Sequence, residues 1–235
     1  GFNWQPIDLV SVRVGYNRAV RAPNVAELFS AQALGLWSGV DPCANENDQP
    51  PVYTQAQCAN TGVTPDQYGN IGASPAGQYN AIFGGNPDLD PEVADTWTAG
   101  VVINPMDTMT ISVDYWQIKI EDTINGVGAT TILEQCALFG VLCDQITRGP
   151  GGTLWRGQAG YIEDTTVNIG SNKWEGVDLA FNWGIDGLGG TWTTNMIGTY
   201  MLTKETTPLP TSPETAYDCV GTISTRCFPS PDWRH

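Results

Sequence analysis

Six cysteines are the most distinctive chemistry in this chain, and they fall as three local pairs: Cys43 and Cys58, Cys136 and Cys143, Cys219 and Cys227. Pairing by proximity gives three disulfides and places the protein in an oxidising compartment. Zinc is the rival reading. It is weakened by the lack of any Cys-x-x-Cys and by a single histidine, His235, at the last position. Asp88, Asp90 and Glu92 form a second acidic constellation that could ligate calcium. Its simpler reading is a proline-punctuated turn entering a strand. Nothing resembles a nucleophile elbow, a phosphate loop or a histidine-centred triad, so no enzyme activity and no cofactor are expected.

These residues lie in long segments between strand-like runs. Residues 7–18 alternate, with Val10, Val12, Val14 and Tyr16 on one face and Ser11, Arg13, Gly15 and Asn17 on the other. In 92–103, Trp97, Ala99, Val101 and Ile103 oppose Thr96, Thr98 and Gly100. In 108–120, Met109, Ile111, Val113 and Tyr115 oppose Thr110, Ser112 and Asp114. The parity then slips at Trp116, as a bulge or a strand leaving a bilayer would produce. Residues 167–185 and 191–203 add two more alternating runs, and the last residues look like the start of another. Short turns at Asn104–Asp107 and Asp186–Gly190 join strands at one end, whereas 19–91, 121–165 and 204–230 connect them at the other. If 7–18 runs outward, every long loop lies on one rim and every short turn on the opposite rim, the plan of an outer-membrane barrel.

Composition agrees. Only 15% of the residues are charged, against about a quarter in a soluble domain. The polar faces carry Thr, Ser, Asn and Gly rather than Lys and Glu, which suits a lumen wall. No apolar run approaches the roughly 20 residues of a membrane helix. Trp183 and Trp192 flank a short turn while Tyr16, Tyr115 and Tyr200 lie towards the long loops, as two interfacial belts require. A net charge of −15 with ten Lys and Arg excludes nucleic-acid binding, which needs basic clusters. Both termini read like strands cut part-way, so the chain is expected to be a fragment.

Within the loops, Asn24 and Glu27 predict a capping box opening a helix from Val25 to about Leu34, with Leu28 and Phe29 packing at the barrel mouth. Residues 129–147 also look helical. Cys136 and Cys143 on one unbroken helix would lie ~10 Å apart, too far for a disulfide, so their pairing requires a break at Gly140. Trp37, Tyr53, Tyr68, Tyr79, Trp155 and Tyr161 are the loop aromatics expected to face a ligand. The first loop offers Arg21 alone against Glu27, Asp41, Glu46, Asp48, Asp66, Asp88 and Asp90. That balance suits a neutral or cationic ligand, such as a sugar or peptide, better than an anionic siderophore.

Four segments give the pattern a family. Arg21-Ala-Pro23-Asn24-Val-Ala-Glu27-Leu-Phe29 resembles the R-A-P-N/S-x-x-E-L-F segment of TonB-dependent outer-membrane receptors. Asn86-Pro87-Asp88-Leu89-Asp90-Pro91-Glu92, followed by Gly100, resembles their N-P-x-L-x-P-E…G segment. Residues 113–124 look like the next strand, and Asn168-Ile-Gly170 with Gly176-Val-Asp178-Leu looks like the N-x-G…G-V-E-L strand. The resemblance implies an all-β fold, an antiparallel transmembrane β-barrel of roughly 22 strands around an N-terminal plug. This chain would be a late portion of about six strands, without the plug, the TonB-contacting motif, the early strands or the terminal aromatic. It implies uptake of a scarce nutrient across a Gram-negative outer membrane, with TonB, the nutrient, the bilayer and lipopolysaccharide as partners. A passive porin, an adhesin-like barrel and a secreted disulfide-stapled β-sandwich are the alternatives.

Overall fold

The computed structural model describes residues 1–46, 49–187, 189–209, 216–224 and 227–235. In chain order the first elements are β1 (Phe2–Ile7), β2 (Val10–Arg21), α1 (Val25–Phe29), β3 (Ala33–Ser38), α2 (Gln55–Asn60) and β4 (Gln78–Phe83). Then come β5 (Glu92–Met106), β6 (Met109–Glu121), β7 (Ile124–Asn125), α3 (Ala129–Phe139), β8 (Ile146–Thr147), β9 (Tyr161–Glu163) and β10 (Val167–Asn168). The last are β11 (Ser171–Gly187), β12 (Gly190–Thr207), β13 (Tyr217–Asp218) and β14 (Trp233–Arg234). No described helix is long and apolar enough to cross a membrane, which says nothing about crossing by strands. The elements form two compact units. One holds 1–22, 90–123 and 169–235; the other holds 23–89 and 124–168.

The first unit is one antiparallel sheet in the order β1-β2-β5-β6-β11-β12-β13, with β14 also on β12. Its path is open, and the five long strands follow one another without a crossover. Register explains the alternation in the sequence, because residues paired across antiparallel strands share a face. One such row is Val12–Val101–Val113–Leu179, and a second is Val14–Ala99–Tyr115–Val177–Tyr200. These apolar residues remain largely exposed, Tyr16, Trp97, Met196 and Trp192 among them. Such a face has no partner in the sheet itself and fits a hydrocarbon surround. The opposite face carries the row Arg13–Gly100–Asp114–Asp178–Thr199. Arg13 reaches over Gly100 to bind both carboxylate oxygens of Asp114, at 2.6 and 2.5 Å. A Cβ on Gly100 would collide with that carboxylate, so the glycine is there for the ion pair to cross it.

The parity slip at Trp116 is not a bulge. β6 pairs without a break with β5 from Val93↔Glu121 to Ile103↔Ile111 and with β11 throughout. Trp116, Ile118 and Ile120 continue the face of Ser112 and Asp114, which turns apolar near this rim, while Gln117 and Lys119 make the other face polar. A strand leaving the lipid zone has this pattern. The bulge lies instead in β12, where Glu175 pairs with Thr203 but Gly176 pairs with Met201, leaving Leu202 extra. The first short turn also moves. β5 runs through Asn104-Pro105 to Met106, with an irregularity after Ile103, and Asp107 and Thr108 make the turn. Pro105 has no N–H for the ladder, and the irregularity accommodates it. The second turn includes Leu188, which lies outside the described residues. At the opposite rim, the pairs Arg21↔Glu92 and Ser171↔Thr207 mark where the long connections leave.

The third of those connections stays with the sheet unit, and the second unit is built from the first two. Its sheet has the order β3-β4-β9-β8, with β4 and β9 parallel, and a separate β7–β10 pair accompanies it. The expected helix from Val25 to Leu34 stops at Phe29, and Ala33–Ser38 is a strand instead. β4 supplies six register partners there, so tertiary pairing overrides local helical preference. Phe29 is exposed rather than packed. Asn24 and Glu27 do form the capping box.

Candidate functional site

The loop unit is organised by two small cores. In the first, Ile132 and Leu133 of α3 pack with Trp37, Tyr79, Ala81, Leu154 and Ile162. In the second, Cys43, Ala44, Cys58, Val63 and Ile71 cluster under Tyr53 and Tyr68. The cysteines pair as Cys43–Cys58, Cys136–Cys143 and Cys219–Cys227, with none free. α3 ends at Gly140 in the left-handed conformation, φ 69°. That break folds Cys143 back to a Cα distance of 4.9 Å from Cys136.

The two connections are joined by an ion pair that sequence reading missed. Arg148 grips Asp41 through Nη1–Oδ2 at 2.7 Å and Nη2–Oδ1 at 3.0 Å, with both side chains almost wholly buried (3% and 1% exposed). Its Nε donates to the carbonyl and hydroxyl oxygens of Thr61, and Nη1 also donates to the Gly152 carbonyl. Asp41 in turn accepts the Cys43 N–H. One guanidinium thus ties the 41–61 segment to the 148–152 segment, with every one of its bonds charge-assisted.

Asp164 plays a comparable part at α3. Gly128 gives the helix no side-chain cap, and the Asp164 carboxylate accepts the Gly128 N–H at 2.9 Å. Asp164→Ala should therefore cost about 0.5–2 kcal/mol at this helix end, read as faster amide exchange in 129–132. Burial raises the Asp164 carboxyl above its ordinary value, against the lowering effect of the backbone N–H groups around it. The folded unit then holds this proton more tightly than the unfolded chain. This group's contribution to stability is largest in acid and falls as pH rises through the unfolded and then the folded pKa.

The aromatics divide. Trp37 and Tyr79, expected to face a ligand, stack on each other in the core at 5.2 Å and are buried. Apolar packing of α3 against the sheet claims them. Tyr53, Tyr68, Trp155 and Tyr161 are half-buried. Tyr68 donates its hydroxyl to the Tyr53 carbonyl, and Trp155 Nε1 donates to the Gly72 carbonyl at 2.9 Å. The Ser74 N–H donates to the Tyr79 hydroxyl. Tyr79 and Trp155 therefore hold the 72–74 stretch by hydrogen bonds. An open groove of about 400 Å³ beside it is lined by Asn45, Glu46, Gly72, Ala73, Ser74, Pro75 and Gly77.

The motif residues serve the neck of the first loop. Arg21 binds Glu92 at 2.7 Å across β2 and β5. Asn24 Oδ1 accepts the Glu27 N–H, and the Glu27 carbonyl accepts the Asn86 N–H. Pro23 is half-buried, Leu89 is buried, and Pro87 and Pro91 are exposed. Asp88, Asp90 and Glu92 do not converge, and no group of three such residues could hold a metal among the described residues. Glu92 is committed to Arg21, and the Asp88 N–H closes a turn on Asn86 Oδ1. Asp48 lies outside the described residues.

On the inner-facing side of the sheet, Trp116 lies across Gly176, where a Cβ would strike its ring. Trp116, Trp174, Met201, Lys204 and Arg234 line a cleft of about 320 Å³ there.

The family of TonB dependent receptor-like β-barrels matches residues 1–234. The chain belongs to that family. No curated protein matches it in sequence. Among solved structures, the ferric enterobactin receptor PfeA of Pseudomonas aeruginosa is 16% identical with a TM-score of 0.50, covering 86% of this chain and 21% of its own. The siderophore receptor PirA of Acinetobacter baumannii is 17% identical with a TM-score of 0.47, over 85% of this chain and 22% of its own. The chain spans about a fifth of the length of these receptors. At such identity the PfeA likeness is one of fold, and the open sheet is a portion of a TonB-dependent receptor β-barrel.

Proposed function

We propose that the protein serves TonB-dependent uptake of a scarce nutrient across the outer membrane of a Gram-negative bacterium. In this reading the long sheet is barrel wall, the loop unit captures the ligand outside, TonB supplies the energy and no enzymatic step occurs. The observation that carries it is that all three long connections leave one rim of a sheet whose outward face is an exposed apolar band, in a chain of this family. Beyond the aromatics Tyr16 and Trp97, the outward face carries the row Arg18–Asp95–Lys119–Lys173–Glu205. That row fits the charged headgroup zone of lipopolysaccharide.

Loop charge speaks for a neutral or cationic ligand. The basic residues of 23–89 and 124–168 are Arg148, which is buried on Asp41, and Arg156. An anionic ligand approaching these segments meets Glu46, Asp66 and Asp88 with little to attract it. A ferric siderophore, as in the names of PfeA and PirA, is the second reading, favoured by Lys204 and Arg234 in the inner-facing cleft.

Deleting the gene should abolish energised import of one nutrient class, and removing TonB should have the same effect. Transport assays with neutral oligosaccharides, peptides and ferric chelates test this. Unchanged import of all of them, with paralogues also removed, would sink the proposal. Import that persists without TonB would instead favour a passive porin.

A further inference from the structure

We propose that the groove between Asn45–Glu46 and Gly72–Gly77 is a binding site for an uncharged oligosaccharide. The inference rests on the uptake reading for its biological setting and supplies the ligand class and its seat. The groove is open and polar. It offers a carboxylate (Glu46), a hydroxyl (Ser74) and backbone groups, which can meet the donors and acceptors of sugar hydroxyls, while the Asn45 side-chain amide fixes the wall by donating to the Gly69 carbonyl.

The walls are preorganised. The Asn45 N–H donates to the Ile71 carbonyl at 2.7 Å, and the Ala73 N–H returns to the Asn45 carbonyl at 3.2 Å. Tyr79 and Trp155 fix Ser74 and Gly72 by hydrogen bonds, and the Cys43–Cys58 disulfide anchors the segment just before Asn45. A wall already held in place spares the ligand much of the ordering cost of binding. Arg156, stacked on Trp155 at 4.9 Å, reaches the Gly72 end and adds a donor there. Glu46 also lines the groove, so a strongly anionic ligand is disfavoured. An extended peptide would seek free backbone N–H groups, but those of Ala73 and Gly77 are already spent on Asn45 and Ser74 carbonyls.

The test uses the full-length receptor in detergent and calorimetry with neutral α- and β-linked glucan oligosaccharides, an oligogalacturonate, a peptide mixture and a ferric catecholate. A neutral glucan should bind. Pro75→Trp, at an exposed position on the rim, should weaken it by about tenfold or more by filling the groove. Glu46→Gln should weaken it about three- to tenfold, the loss of one or two hydrogen bonds. Protease protection of the loop unit confirms that both variants fold. Failure of every neutral glucan to bind, binding unaffected by Pro75→Trp, or a preference for the peptide or the anionic probes overturns the groove assignment. If the receptor still imports a ferric chelate with TonB, the uptake reading survives that failure. Glucan binding without TonB-dependent import would remove the uptake reading and leave the groove.

Discussion

Replacing Arg148 with alanine should destabilise the loop unit by about 3–5 kcal/mol, the cost of stranding one member of a buried ion pair. The stranded member is Asp41, which is 1% exposed and, among the described residues, would be left with the Cys43 N–H as its side-chain partner. Thr61 and Gly152 would lose their donor at the same time. Hydrogen exchange on the full-length receptor should show 41–61 and 148–154 losing protection together. The β2, β5, β6 and β11 amides should be unchanged, because every partner of Arg148 lies within the loop unit. The double variant Asp41→Leu/Arg148→Met should recover much of the loss, since an apolar pair of similar bulk removes the buried charges altogether. Arg148→Ala with loop protection intact would show that the ion pair does not hold the two connections together.

That ion pair also marks where sequence reading stops. The sheet was legible because alternation is local: Val10 to Tyr16 or Trp97 to Ile103 show their faces within seven residues, and register then follows from the pleat. The break at Gly140 was legible for the same reason, since helix rise alone forbids a Cys136–Cys143 bond without it. Arg148 and Asp41 stand 107 residues apart, and neither carries a local mark of burial. The expected helix ran on into Ala33 and Leu34, and β3 went unseen, because its strand character comes from β4, which lies beyond an intervening disulfide loop. The loop aromatics were found by residue type, but type does not say which way a ring faces. Trp37 and Tyr79 turned into the core, and the groove is lined by mostly small residues around Asn45, Glu46 and Ser74 that no motif announces. Trp116 marked a real transition. Two physical causes fit it in sequence, and only the unbroken pairing to both neighbours separates them.

The disulfides should not contribute equally. Cys43–Cys58 closes a sequence separation of 15 residues, which in the chain-entropy view amounts to about 3 kcal/mol. Cys136–Cys143 spans only 7, and α3 with its Gly140 stop already sets the approach of its ends. The surroundings widen the difference. Both sulfurs of the first pair are fully buried, and Ala44, Val63 and Ile71 are the remaining buried residues of their core. Without the bridge that cluster has too little apolar area to hold a segment rich in Pro, Gly, Asn and Gln. Cys43→Ala/Cys58→Ala should therefore open 43–77 to protease and exchange, at a cost of about 2–5 kcal/mol. Cys136→Ala/Cys143→Ala should cost less, because Ile132 and Leu133 keep α3 on the sheet. Of the two bridges, only the first adjoins the groove of Asn45 and Ser74, so neutral-glucan binding should fall sharply in the first double variant and persist in the second. Equal sensitivity of the two variants, in protection or in binding, would contradict this division of the loop unit into a sulfur-anchored half and a helix-anchored half.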